Sequence, residues 1–333
     1  MIKIALDAMG SDNAPFSDVE GAVLAAREFS YEITLVGDEG LIKKELEKHK
    51  PVPSNILIQH ASELIGMHEQ PVLSVRRKKD SSIVVLCNLA KEKKVDAIVS
   101  AGNTGAMVCA ATLKCRLLQG IERAGIGIVM PTLKGPMVMI DGGANIDAKA
   151  SHLLQYGIMA SAYSEYILNK KSPRVGLLNV GEEESKGTGF LKEAYGLLES
   201  SGLNFIGNVE GRDFFIGDCD VIVCDGLVGN VALKVTEAVA HAFGEMLKKE
   251  LKSSFLSAIG AVLSRNAFMS MKKRLDYAEY GGAPLLGVNG VCIIGHGSSS
   301  PKAIKNAIRV AGEEVVKNVN QHIVETIAVR KEQ

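Results

Sequence analysis

The sequence predicts an α/β protein: a mostly parallel sheet with helices on both faces. Three observations carry this. Short apolar runs alternate with longer stretches of helical pattern along the 333 residues. Most of the strand-like runs are continuously apolar, as strands buried on both sides are. Six of them end in loops rich in Gly, Asn and Asp, in the place where α/β sheets bind ligands.

In chain order, the first strand is expected at 2–6 and closes on Asp7-Ala8-Met9-Gly10-Ser11-Asp12-Asn13. A helix at 18–29, a strand at 33–36 and a helix at 81–94 follow. The strand at 97–100 opens into Ala101-Gly102-Asn103-Thr104-Gly105 and a helix to 118. The strand at 138–140 ends on Asp141-Gly142-Gly143-Ala144-Asn145-Ile146-Asp147, before a helix at 151–168. The strand at 175–180 is followed by Gly181, Glu182-Glu183-Glu184-Ser185-Lys186-Gly187 and a helix at 188–200. The strand at 221–224 meets Asp225-Gly226-Leu227-Val228-Gly229-Asn230, with a helix from about 229. The last strand, 291–294, leads through Gly295-His296-Gly297-Ser298-Ser299-Ser300 to a closing helix at 301–325. With no fixed-period repeat, no low-complexity linker and no clear boundary, 1–333 reads as a single catalytic domain.

Composition narrows the function classes. Lys+Arg and Asp+Glu both number 38, so a formal net charge of zero gives no whole-protein argument for nucleic acid. The six cysteines form no C-x-x-C pair and no zinc spacing, which fits buried free thiols in a reducing cytoplasm. Residues 1–6 read as a strand, not a signal peptide. The apolar stretch 95–113 is interrupted by Gly102-Asn103-Thr104-Gly105, against a membrane span.

Glycine lets backbone N–H groups approach an anion, and a following helix N-terminus adds unpaired donors and a favourable dipole. One such loop serves equally as an ordinary turn; six at one sheet edge point to a site for a phosphate-sized anion. No G-x-G-x-x-G follows the first strand, and there is no G-x-x-x-x-G-K-[ST], G-x-S-x-G or H-E-x-x-H. Nucleotide binding of the common kinds is therefore not expected. Asp7, Asp141 and Asp225 end strands, positions suited to binding a metal, orienting Lys or Asn, or capping loops. No spacing calls for a metal, and no cofactor is expected.

Together the loops resemble the bacterial phosphate acyltransferases, which make acyl phosphate from acyl-carrier-protein thioester and inorganic phosphate. The matching stretches are Ala5-Leu6-Asp7-Ala8-Met9-Gly10, Ser100-Ala101-Gly102-Asn103-Thr104-Gly105-Ala106, Gly143-Ala144-Asn145 and Gly176-Leu177-Leu178-Asn179-Val180-Gly181. Phe205-Ile206-Gly207-Asn208-Val209-Glu210, Asp225-Gly226 through Gly229-Asn230-Val231, Tyr280-Gly281-Gly282-Ala283 and His296-Gly297-Ser298 complete them in order. The first loop departs from the family, which more often has a second glycine and Gly-Asp-His where this chain has Gly10-Ser11-Asp12-Asn13-Ala14-Pro15. The resemblance implies a Rossmann-like fold related to phosphotransacetylases and isocitrate-type dehydrogenases. It also implies a homodimer, a place at the start of phospholipid synthesis, and a cytoplasmic enzyme peripherally attached to the membrane.

In the implied reaction a phosphate oxygen attacks a thioester carbonyl. Lys186, Asn230 and His296 are the catalytic candidates. Lys186 and Asn230 are expected to hold phosphate or the developing oxyanion, where preorganised donors matter most; His296 is either an acid or phosphate ligand or the organiser of its turn. Asp7, Met9, Gly10, Asn103, Thr104, Gly105, Asp141, Asn145, Asp225 and Gly226 are the phosphate- or substrate-binding candidates. Cys224 reads as a buried strand residue more readily than as an acylated nucleophile.

Residues 245–275 differ from the rest. Leu247, Leu251, Phe255, Ile259, Val262 and Leu263 recur at spacings of three and four, an apolar helical stripe. Lys248, Lys249, Lys252, Arg265, Lys272, Lys273 and Arg274 against Glu245 and Glu250 give a local charge of +5. One reading packs this segment on the body or on a dimer mate. The other is a projecting helical pair whose tip, with Phe255, Leu256, Ile259, Val262 and Leu263, enters a bilayer interface beside anionic lipid. Arg76-Arg77-Lys78-Lys79 is a second basic run, suited to an acidic acyl carrier protein or to plain solvation. The alternatives are a short-chain phosphotransacetylase or dehydrogenase-like enzyme on the same fold, or a non-catalytic regulator responsive to lipid or phosphate.

Overall fold

The computed structural model describes residues 1–275 and 279–331, and the side chains of Lys272, Lys273, Arg274, Leu275, Val329, Arg330 and Lys331 lie outside the described set. The described strands are β1 (Ile2–Asp7), β2 (Tyr31–Gly37), β3 (Ile56–His60), β4 (Ala97–Ser100), β5 (Gly125–Ile126) and β6 (Ile128–Thr132), then β7 (Gly135–Ile140), β8 (Val175–Leu178), β9 (Phe205–Val209), β10 (Val221–Val223), β11 (Ala283–Leu286) and β12 (Val291–Ile294). The helices are α1 (Phe16–Glu28), α2 (Glu39–Leu46), α3 (Pro71–Arg77), α4 (Ser82–Lys91), α5 (Thr104–Cys115) and α6 (Ala150–Tyr166), then α7 (Gly189–Glu199), α8 (Gly226–Leu251), α9 (Phe255–Leu263), α10 (Arg265–Leu275), α11 (Pro301–Val316) and α12 (Val319–Lys331).

The strands form two sheets, where the sequence suggested one. The larger runs β3-β2-β1-β4-β12-β11-β5 and the smaller β6-β7-β10-β8-β9. The chain crosses between them at Gly127, whose N–H donates to the Pro284 carbonyl at 2.9 Å. Antiparallel pairs, β5 with β11, β11 with β12 and β6 with β7, line this crossing, and the remaining pairs are parallel. Two-residue β5 carries no periodicity, so nothing in the pattern announced the switch.

Helices cover both faces of the larger sheet. Ile4 and Leu6 pack with Val19 and Ala22 of α1 and Ile304 and Ile308 of α11, while Ala5 between them joins Ile83 and Leu86 of α4 and Met107 of α5. This is the alternation of a strand buried on both sides, and each fully buried Ile or Leu contributes about 1.5–3 kcal/mol. In the smaller sheet Leu153, Tyr156 and Tyr163 of α6 pack on one face with Val175 and Val221, and Val319 and Ile323 of α12 join them. Met137, Met139 and Ile222 form the other face, which Leu233 of α8 covers.

Two boundaries moved for local reasons. The closing helix breaks after Val316, because Asn318 takes a left-handed φ of 50°, which Asn tolerates better than most residues. The 245–275 stripe is divided at Ser254, whose hydroxyl accepts from the Ser257 N–H at 3.1 Å and starts α9 afresh. Among the described residues no helix is long and apolar enough to cross a membrane.

Candidate functional site

β1, β4 and β12 are neighbours in the larger sheet, and β7, β10 and β8 in the smaller. Their carboxyl ends therefore set three glycine-bearing loops side by side in each sheet. A cavity of about 350 Å³ opens where the two groups meet. Thr104, Gly105 and His296 line it from the larger sheet, and Gly142, Gly143 and Asn230 from the smaller. Ile126, Ile128, Val129, Leu233 and Ile294 make part of the wall apolar.

The aspartates hold the loops from behind. Asp7 is fully buried; its carboxylate accepts from the Ser100 hydroxyl at 2.7 Å and the Met9 N–H at 3.1 Å, tying the β1 loop to the β4 loop. Burial raises its pKa, opposed by the hydrogen bonds from Ser100, Ser82 and Met9. Gly10 lies so close that a β-carbon there would stand 2.7 Å from Asp7 Oδ2 and from the Gly102 nitrogen.

Asp141 performs the same work in the other sheet. Its Oδ1 accepts from the N–H groups of Ile126, Gly143 and Ala144 at 2.9–3.0 Å, and Oδ2 from that of Asn145 at 2.7 Å. Burial raises this pKa too, and the four backbone donors oppose it. Gly143 takes a φ of +129°, and a β-carbon on it would be 3.3 Å from the Cβ of Asn230. Asn145 donates to the Ala124 carbonyl at 2.6 Å and to the Tyr156 hydroxyl at 2.8 Å.

Asp225 caps α8 by accepting from the Leu227 and Val228 N–H groups, and Gly226 N–H donates to the Asn145 carbonyl. The donors at the start of α8 are thus largely spent within the protein. α5 differs. Asn103 caps it through the Ala106 N–H, with its amide bound to the Gly66 and Met67 carbonyls, while the Thr104 and Gly105 N–H groups precede the first intrahelical bond. That end of α5 lies at the cavity.

The three catalytic candidates are not equally placed. Asn230 and His296 line the cavity. His296 Nδ1 lies 2.8 Å from the Ser298 hydroxyl and 3.2 Å from the Ser298 nitrogen, so the turn itself orients the ring. Lys186 stands on the β8 loop, half exposed, with Nζ 3.9 Å from Glu183 Oε1, and is not among the lining residues. Of the ten phosphate- or substrate-binding candidates, Thr104 and Gly105 line the cavity, while Asp7, Met9, Gly10, Asn103, Asp141, Asn145, Asp225 and Gly226 are not among its lining residues. Cys224 is buried, and burial pushes its thiol well above the usual range, which is poor preparation for a nucleophile.

Sequence reasoning passed over Leu233, Lys234, Glu237 and Ile128, all of which line the cavity. Lys234 and Glu237 were legible: they follow Asn230 at i+4 and i+7, one face of the same helix.

The profile of the family described as fatty acid synthesis protein matches residues 2–322. A phosphate acyltransferase of Geobacter sp. (strain M21) is 51% identical over 98% of this chain and 93% of its own length. One from Geotalea daltonii is 50% identical over 98% and 94%. This chain belongs to the phosphate acyltransferase family. As a member of that family it is an acyltransferase, and its family ties it to fatty acid synthesis. The fold is shared more widely. A phosphotransacetylase from Streptococcus pyogenes superposes with a TM-score of 0.66 at 16% identity, covering 95% of this chain and 94% of that one. A 4-hydroxythreonine-4-phosphate dehydrogenase from Klebsiella pneumoniae does so at 0.51 and 12%, covering 95% and 98%.

Proposed function

We propose that the cavity is where inorganic phosphate attacks a long-chain acyl thioester carried on acyl carrier protein, giving an acyl phosphate for phospholipid synthesis. A phosphate oxygen bonds to the carbonyl carbon, the carbon–sulfur bond breaks, and the thiol leaves with the electron pair and a proton. The thiol's pKa of about 8.5 makes a strong general acid unnecessary. The observation that carries the reading is the α5 N-terminus at the cavity, where Thr104 and Gly105 border the same space as Asn230. A helix N-terminus binds anions through its orphan donors and its dipole. Asn230 adds a neutral donor, Lys186 a positive charge from the third loop of the same sheet edge, and His296 a donor or acid. The apolar wall suits the acyl carbons next to the carbonyl.

The partners have surfaces to match. α3 begins at Pro71, whose ring packs so close to Gly105 that a β-carbon there would stand 2.6 Å from it. Arg76 and Arg77 at its other end are exposed, about 8 Å along the helix, while Lys78 is tied to Glu69 at 2.6 Å. Exposed positive charge on the helix that packs against Gly105 supports docking of an acidic carrier there. α8 leaves Val231, Val235, Val239, Phe243 and Met246 exposed at spacings of three and four, a face suited to a second copy in a homodimer. On α9, Phe255, Leu256, Ile259, Val262 and Leu263 are 43–82% exposed, beside Lys248, Lys249 and Lys252, as a peripheral membrane contact requires. The test is to incubate the protein with palmitoyl-acyl-carrier protein and phosphate and assay acyl phosphate, as hydroxamate, together with free thiol. Equal amounts of both are expected. Thiol release independent of phosphate refutes the reading.

A further inference from the structure

We infer that Lys234 is the phosphate-binding cation of the cavity, and that Glu237 is the positioning residue which holds its ammonium there until phosphate takes it over. The inference rests on the reading that phosphate is the nucleophile.

Among the described residues lining the cavity, Lys234 is the one lysine and Glu237 the one carboxylate. Lys234 Nζ lies 2.8 Å from Glu237 Oε2. Asn230, Lys234 and Glu237 stand at i, i+4 and i+7 of α8, so one rigid helix presents all three to the same space. The root of that helix is fixed, because Asp225 and Asn145 bind its first turn. The two side chains are about half exposed, and an exposed i,i+3 pair does little for stability. Its placement at the cavity calls for another reason.

The chemistry supplies one. A phosphate dianion needs positive charge, and the α5 N-terminus offers only the partial charge of its dipole. Asn230 is neutral, and Lys186 adds its charge from a loop outside the lining, so Lys234 is the cation placed to touch the anion within the cavity. An ammonium carries three donors, so Nζ can bind a phosphate oxygen while it leaves Glu237. Glu237 keeps a flexible four-carbon stem aimed at the cavity, and as a like charge it also competes with the incoming anion. Phosphate binding is thus an exchange of one anion for another on a fixed cation.

The test varies phosphate at saturating acyl-acyl-carrier protein, and then the reverse. Lys234→Ala is expected to raise the KM for phosphate by about ten- to a hundredfold, the size of a lost charge-assisted hydrogen bond. The KM for the thioester should stay within about twofold, and Lys234→Arg should recover part of the loss. Glu237→Gln keeps an acceptor but removes the charge, and should lower the KM for phosphate by about three- to tenfold. Titration calorimetry with inorganic phosphate alone should follow the same order. If Lys234→Ala melts early, Lys234→Gln, which keeps most of the stem, takes its place. Wild-type turnover with an unchanged phosphate KM in the Lys234 variants overturns the inference alone, as does a raised phosphate KM in Glu237→Gln. Absence of acyl phosphate from the wild type overturns the reading of the reaction instead.

Discussion

Replacing Gly229 with alanine tests whether the position of α8 governs the chemistry. A β-carbon on Gly229 would stand 1.9 Å from the Asp141 carbonyl oxygen, where ordinary contact begins at 3.4 Å. The shortfall is about 1.5 Å against a backbone oxygen, which does not yield easily. The Asp141 backbone is held by its own N–H to the Cys224 carbonyl at 3.0 Å, and its carboxylate is anchored by four further backbone donors. The first turn of α8 must therefore move, and Asn230 with it. Overpacking of this kind costs about 1–3 kcal/mol of stability. A misplacement of about 1 Å at a reacting centre costs on the order of 100-fold in rate. The expected result is a variant that melts a few degrees lower and loses about 100-fold in kcat for acyl phosphate formation. A variant with kcat within threefold of wild type would refute the argument that the Asp141–Gly229 contact sets the site.

Three other outcomes are expected. Lys186→Ala should lower kcat/KM by at least about tenfold, as loss of one charged donor does; near-normal phosphate-dependent turnover would remove Lys186 from the chemistry. A Leu256→Glu/Ile259→Glu variant should lose co-sedimentation with anionic liposomes while keeping turnover in solution, and equal binding by both proteins would sink the membrane tip. Asp18 is buried, and its pKa is raised to about 7, by burial first and by Asp7. A carboxyl raised in the folded state favours folding fully below its unfolded value, and that contribution is lost as pH rises through the folded value. From pH 5 to pH 8 wild type should therefore lose about 2.7 kcal/mol relative to Asp18→Asn, two pH units at about 1.36 kcal/mol each. Parallel stability curves from denaturant melts would contradict that.

The loops were legible because their chemistry is local. Glycine, an Asx cap and a strand end sit within a few residues of one another, so Asp7, Asn103, Asp141 and Asp225 could be placed on turns from the sequence. The partition of those loops between two sheets was not legible. It depends on a crossing at Gly127 between β5 and β6, and two residues carry no period. β3 was missed because it is a half-exposed edge strand ending in Gln59-His60, and β11 because it is only four residues long and contains Pro284. In the site, residue types named candidates without depth. They could not say that Asp7 and Asp141 face backbone donors inside the loops, since a buried carboxylate and a ligand carboxylate look alike in a string of letters. Lys234 and Glu237 were overlooked for the opposite reason: a Lys and a Glu three apart on a helix ordinarily mean a solvated face.

α8 also sets a phase. It runs unbroken for 26 residues, about 39 Å, from the cavity to the turn before α9. Every added residue turns the remainder of the helix by about 100° about its axis. A single insertion after Glu237 would leave Asn230 in place yet swing Phe243, and the tip beyond it, to another side of the molecule. Seven inserted residues would return it to within about 20°. The length of this helix is therefore specified as tightly as its composition, and insertions should be tolerated within it only in near-whole turns.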